Sequence, residues 1–223
     1  MLSTKIICTI GPASDSPKKL AELAEAGMNI ARLNFSHGTH HSHKKIIEQI
    51  RKLNKDRQYP IAIMLDTQGP EIRTGDKVIT LISGKRVCVT IPPNEESEGT
   101  LFVNYVDLKD DLKEGSCISL DGGLMSLKVC GKNKKGLDCE VIDGGVVKAH
   151  RHVNLPGAIV KLPGITETDK QDILFGIEQK VDVIALSFVR SSETIREVRA
   201  SLGVHAQQIK LIAKIENQEG VER

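Results

Sequence analysis

The feature that most constrains this chain is a change of hydrophobic period that occurs twice. Up to about residue 66, short β-branched runs alternate with stretches whose apolar residues recur at helical spacing. From Gly69-Pro70 to about Pro163 the helical spacing disappears, and beyond that it returns. A period near 3.6 buries one stripe of a helix and a period of two buries one face of a strand, so the two textures call for different layers. The pattern predicts an α/β domain interrupted after its third strand by an all-β domain.

In the first stretch Lys5 to Ile10 reads as a strand, and Ser16 with Pro17 opens a helix through Leu20, Leu23, Ala24 and Ala26 that Gly27 can stop. Asn29 to Leu33 is a second strand. His40 to Leu53 sets Ile46, Ile47, Ile50 and Leu53 at helical spacing, and Ile61 to Leu65 is a third strand. In the last stretch Thr168 to Gln171 has a capping-box pattern ahead of Ile173, Leu174 and Ile177. Val183 to Ser187 follows as strand four, Ser192 to Leu202 as a helix, and Ile209 to Ile215 as strand five. Continuous apolar strands separated by single helices imply parallel strands covered on both faces. In the middle, Val87, Val89 and Ile91, and then Leu137, Cys139 and Val141, alternate with polar residues. The turn signals Ser83-Gly84, Asp121-Gly122-Gly123, Gly131 to Gly136 and Asp143-Gly144-Gly145 read as hairpin turns. The expected domains are 1–69, 70–164 and 165–223, with the first and third forming one α/β body. Five such strands are too few for a closed eight-stranded barrel, which takes about 250 residues without insertions. Either the sheet is open or the chain is part of a longer one.

Composition excludes several classes. In 223 residues, 31 Lys+Arg stand against 29 Asp+Glu, a net charge of +2, with no Trp, four Phe and two Tyr. No basic stripe or stacking platform is available for nucleic acid. No apolar run approaches the roughly 18 residues needed to span a membrane. Five cysteines without a C-x-x-C pair read as reduced core thiols of a cytoplasmic protein. Met1 to Lys5 leads into a strand, not an apolar leader, so no secretory signal is expected.

Chemistry-bearing residues collect just after the strands, on the edge where α/β sheets place their sites. Arg32, Asn34, Ser36 and His37 follow strand two; Asp66, Thr67 and Arg73 follow strand three; Arg190 follows strand four. In strand five the period of two sets Lys214 and Glu216 on one face. A Lys among covered strands needs an anionic partner, and an internal Lys214–Glu216 ion pair without any ligand remains an alternative. Arginine forks grip phosphate or carboxylate, and Asn34, Ser36, Asp66 and Thr67 offer the oxygen donors that hard cations prefer. Ser36 and Asp66 could equally cap a following helix or turn. The run from His37 to His43 lacks any zinc spacing and reads as a solvated helix start.

Five segments taken together in this order resemble pyruvate kinases: Thr4 to Ala13, Gly27 to Gly38, Leu65 to Thr74, Val153 to Gly157 and Ile212 to Gly220. The resemblance implies a partial TIM (β/α)8 barrel with a lid domain inserted after strand three. It implies a phosphotransferase moving the phosphoryl group of phosphoenolpyruvate to ADP, giving pyruvate and ATP, with Mg2+ (or Mn2+) and K+ as cofactors and a homotetramer as the full-length form. Carried over by position, Arg32 contacts the substrate phosphate, and Lys214 stabilises the transferring phosphoryl group and the enolate oxygen. Asn34, Ser36, Asp66 and Thr67 are the implied K+ ligands and Glu216 the first Mg2+ carboxylate. Arg73 and Arg151, with Asn34 and His37, are the implied nucleotide contacts.

The chain departs from the family pattern at Gln68, at Gly122, at Arg151 in place of a lysine and at His152 in place of a glycine. The family's second Mg2+ carboxylate and last barrel strands have no counterpart before Arg223, so the chain alone is expected to be inactive. Two other readings stand beside the kinase: a non-catalytic fragment or degenerate nucleotide- or ion-binding module, and another phosphoenolpyruvate-using barrel such as a lyase or aldolase.

Overall fold

The computed structural model describes residues 4–223, and the reading of Met1 to Ser3 lies outside the described residues. The chain divides into two compact units, one built from residues up to Pro70 together with Pro163–Val221, the other from Glu71–Leu162.

The first unit opens with β1 (Ile6–Ile10), α1 (Pro17–Glu25), β2 (Met28–Asn34), α2 (His40–Asn54) and β3 (Ala62–Asp66). Local chemistry fixes the helix starts. Ser16 Oγ accepts from Lys19 N in the first turn of α1, where Pro17 sits without needing its missing N–H. At α2, Thr39 and Ser42 cap each other reciprocally. Gly27, at φ 106, supplies the left-handed turn into β2.

The second unit holds β4 (Ile79–Leu81), β5 (Arg86–Thr90), β6 (Thr100–Phe102), α3 (Leu108–Asp111), β7 (Cys117–Leu120), β8 (Met125–Lys132), β9 (Gly136–Asp143), β10 (Gly145–Val147) and β11 (Val153–Asn154). Six of these strands form one sheet in the order β11-β7-β8-β9-β5-β6, and β4 pairs with β10 in a second. Val87, Val89, Leu127, Val129, Leu137, Cys139 and Val141 fill its core. Gly131 to Gly136 does join the antiparallel pair β8 and β9. Ser83-Gly84 and Gly144-Gly145 are not hairpin turns, because β4 and β10 pair with each other across the sequence. Gly144 is required for a different reason: a Cβ there would lie 2.6 Å from Leu81 O. The cysteines also depart from a uniform core reading. Cys139 is buried, and desolvation pushes its thiol up to about 12, whereas Cys117 is exposed.

The first unit resumes with α4 (Glu167–Glu178), β12 (Val183–Leu186), α5 (Ser192–Ser201), β13 (Lys210–Ala213) and α6 (Gln218–Glu222). The capping box lies one pair earlier than the sequence pattern indicated. Thr166 is the N-cap and Asp169 its reciprocal partner, which leaves Thr168 and Gln171 inside the helix. Thr-x-x-Asp serves the same purpose as Thr-x-x-Gln, since either side chain can reach back to the cap N–H. Of the apolar residues that follow, Ile173 is buried and Leu174 is exposed.

The five strands of this unit are all parallel and lie in the order β1-β2-β3-β12-β13. Burial on both faces holds for most of β3 and all of β12 but fails at the two edges. Ile6 and Ile7 on β1 and Ile212 on β13 are exposed, because an edge strand has a neighbour on one side only. Among the described residues no helix is long and apolar enough to cross a membrane.

Candidate functional site

Strand register brings the candidate residues together at one sheet edge. Asn34 is the partner of Asp66, Asp66 of Ala185, and Leu186 of Ala213, so the residues that end or follow four parallel strands emerge side by side. Asp66 is the centre, with 1% exposure. Its Oδ2 accepts from Arg32 Nε at 2.6 Å and lies 2.5 Å from the same guanidinium's NH2 nitrogen. Its Oδ1 accepts from Lys214 Nζ at 3.1 Å. Burying a carboxylate is costly unless cations and donors replace its water, and here two cations do so. Arg32 also donates from NH1 to Thr9 Oγ1 at 2.8 Å.

Lys214 has three neighbours, and Glu216 is the most distant of them. Its ammonium donates to Ser187 Oγ at 2.7 Å and to Asp66, and lies 3.6 Å from Glu216 Oε1. The period-two argument assumed a strand running through Ile215, but β13 ends at Ala213. Lys214 is fixed instead by its backbone, whose N–H donates to Leu186 O at 3.0 Å and whose carbonyl accepts from Val189 N at 3.1 Å. Glu216 Oε2 accepts from Phe188 N at 3.0 Å. Lys214 pairing with Asp66 was not foreseen from sequence, and neither was Ser187.

Asn34 Oδ1 accepts from Ser36 N at 3.1 Å, and Phe35 N donates to Asp66 O at 2.9 Å, which ties the loop after β2 to the end of β3. Thr67 is buried and its Oγ1 accepts from Ser187 N at 3.3 Å. The capping alternative does not apply: Thr39 caps α2, and the Asp66 carboxylate binds side chains. His37 is exposed, and its carbonyl accepts from a ring nitrogen of His43 at 2.9 Å.

The histidine run is not uniformly solvated. His43 is buried and stacks on Phe35 with ring centroids 4.1 Å apart, while His40 stacks on Phe175 at 4.4 Å and bonds Asp172 at 2.6 Å. The helical stripe explains this, since position 43 shares a face with Ile46, Ile47 and Ile50. Burial lowers the His43 pKa and raises that of Asp172, the latter opposed by the His40 contact. Among the described residues no group of three His, Cys, Asp or Glu is arranged to hold a metal.

Arg73 and Arg151 belong to the second unit and are neighbours there. Thr74 N donates to Arg151 O at 2.8 Å, and Arg73 bridges His152. The Arg73 guanidinium pairs with Glu71 and donates to His150 O, and Arg151 lies 3.7 Å from Asp121. Arg151 Nε is buried without a partner. Arg190, in the first unit, is turned to Pro163 O and Glu219.

Parallel strands in chain order, with guanidinium, ammonium and carboxylate groups gathered past their C-terminal ends, describe an α/β protein whose charged side chains collect at one sheet edge. A family model described as pyruvate kinase, barrel domain, matches residues 1–223. The chain belongs to the pyruvate kinase family. It is 46% identical over 228 residues to a pyruvate kinase of Sporosarcina psychrophila, covering 100% of this chain and 39% of that protein. It is 47% identical over 227 residues to a pyruvate kinase of Staphylococcus aureus, covering 100% and 39%. Plastidial pyruvate kinase 2 of Arabidopsis thaliana is 43% identical over 221 residues, covering 98% and 38%. The chain thus spans about two-fifths of the length of these relatives.

Proposed function

We propose that this chain supplies the first part of a site that transfers the phosphoryl group of phosphoenolpyruvate to ADP. In that reaction the bond between phosphorus and the enol oxygen breaks, a bond to the terminal ADP oxygen forms, and the enolate is later protonated to pyruvate. Such chemistry asks the protein chiefly to align two anions and to neutralise charge on the equatorial oxygens.

The observation that carries the reading is the shared carboxylate: Arg32 on β2 and Lys214 just past the end of β13 are both held by Asp66 at one sheet edge. Arg32 grips the substrate phosphate. Lys214 faces the charge that grows on the transferring group and the enolate oxygen, where an interaction made mainly in the transition state accelerates most. Arg73 and Arg151, neighbours in the second unit, offer donors to the nucleotide phosphates, and the orphaned Arg151 Nε is suited to one.

The donor set fits hard cations. Asn34 and Asp66 are register partners at the ends of β2 and β3, and Ser36 and Thr67 follow them in the chain, all with the oxygen donors that hard cations prefer. These four would hold K+, and the Glu216 carboxylate would hold Mg2+ or Mn2+. When bound, the cations supply charge neutralisation for the phosphoryl oxygens.

The test is Lys214→Ala in the active polypeptide that carries this chain. The expected loss in kcat is about a hundredfold or more, with substrate affinity little changed. Turnover near the wild-type rate would remove the assignment. A second reading, a non-catalytic binding module, draws on the exposed apolar edges of β1 and β13. Pyruvate formation by the 223-residue chain with K+ and Mg2+ would exclude it.

A further inference from the structure

The geometry points to the Ser187–Phe188 turn as the element that positions both Lys214 and Glu216, an inference that rests on the phosphotransfer reading. Ser187 lies just past the end of β12 and is buried. Its hydroxyl has one proton to give, and of the two acceptors in reach Thr67 O, at 2.6 Å, is much nearer than Asp66 Oδ1 at 3.4 Å. Donation to Thr67 O turns the oxygen's lone pairs toward Lys214 Nζ, 2.7 Å away. The ammonium is thereby held between a neutral acceptor and the Asp66 carboxylate, so its direction is set by two partners instead of one.

The next residue serves the carboxylate. Phe188 has φ 55, a left-handed backbone that a bulky residue adopts only when its surroundings impose it. The conformation delivers the Phe188 N–H to Glu216 Oε2 at 3.0 Å. The turn packs closely against Gly69, itself left-handed at φ 74. A Cβ on Gly69 would lie 2.9 Å from both Ser187 Cβ and Ser187 O, and 3.1 Å from Phe188 Cδ2. Two left-handed residues therefore pack against each other, and any side chain at position 69 would displace the turn. Ser187 N donating to Thr67 Oγ1 closes the same contact. One dipeptide presents a hydroxyl to the ammonium and an N–H to the acid, and neither group need touch substrate to do so.

Two readouts test the role. In the 223-residue chain, acylation of Lys214 by a small anhydride is followed by mass spectrometry with Lys210 as internal reference. Ser187→Ala should raise Lys214 labelling several-fold while Lys210 stays constant, and Ser187→Thr, which keeps the hydroxyl, should stay near wild type. A purely structural serine would move both lysines together. Should Ser187→Ala fail to fold, Ser187→Cys keeps the volume with a much weaker hydrogen bond and carries the same comparison. In the active polypeptide, Ser187→Ala should lower kcat by about tenfold to a hundredfold with the KM for phosphoenolpyruvate little changed. Unchanged labelling in a folded variant, or wild-type kcat for Ser187→Ala beside an inactive Lys214→Ala, overturns the positioning role alone. A fully active Lys214→Ala overturns the phosphotransfer reading beneath it.

Discussion

Lys214 and Asp66 stand 148 residues apart in the chain and meet with Nζ 3.1 Å from Oδ1. Arg32 occupies the other oxygen, so removing this one charge strands two cations at a crowded edge. Asp66→Asn should lower the unfolding free energy by about 2–3 kcal/mol. This falls below the roughly 3–5 of a fully buried pair, because Arg32 and Lys214 keep 30% and 28% exposure. Urea denaturation measures it, and a loss under about 1 kcal/mol would mean the carboxylate is not what organises the edge.

The His40–His43–Asp172 cluster makes stability depend on pH in two opposed ways. The folded His43 pKa is lowered, first by burial, so the unfolded chain binds that proton more readily. Its contribution is present above the ordinary value of 6.5 and is lost as pH falls through the lowered one. Asp172 is raised, again first by burial, against an ordinary 3.8. Its contribution is complete below 3.8 and is lost as pH rises through the raised value. Between pH 7 and 5 the His43 effect should show as falling stability. Replacing His43 by Phe, which can still stack on Phe35, should flatten that slope in thermal melts at stepped pH. An unchanged slope would assign the dependence elsewhere.

Asp169 does more than cap a helix. Its Oδ2 accepts from Thr166 N and Oγ1, and its Oδ1 accepts from the buried Gly69 N at 2.9 Å, joining the start of α4 to the loop after β3. Asp169→Ala loses the cap and leaves that N–H unpaired, an expected cost of about 2–4 kcal/mol. Amide exchange at Gly69 reports the second part separately, and protection equal to wild type would show that the link is dispensable.

The alternation of periods made the α/β texture, the β-rich middle and most element positions readable, because hydrophobic spacing is a local property. Local signals also located the cap at Ser16 and the stop at Gly27. What escaped was set by partners distant in sequence. Nothing near Lys214 indicates that it turns to Asp66 and Ser187 more closely than to Glu216, since the strand ends two residues before the pattern suggested. Gly144 carries a turn signal, yet its requirement comes from Leu81 O, 63 positions earlier in the chain. His43 was read from its polar neighbours, although its helical stripe with Ile46, Ile47 and Ile50 already indicated an inward face.

The pairing of Met64 with Val183 has a kinetic corollary. Pairing β3 with β12 closes the long detour through Glu71–Leu162. Closure entropy grows only logarithmically, by about 0.6 kcal/mol for each doubling of a flexible loop. A detour with its own hydrophobic centre stops behaving as slack chain once that centre condenses. Condensing the excursion first therefore leaves a shorter effective loop for the seam between β3 and β12 to close.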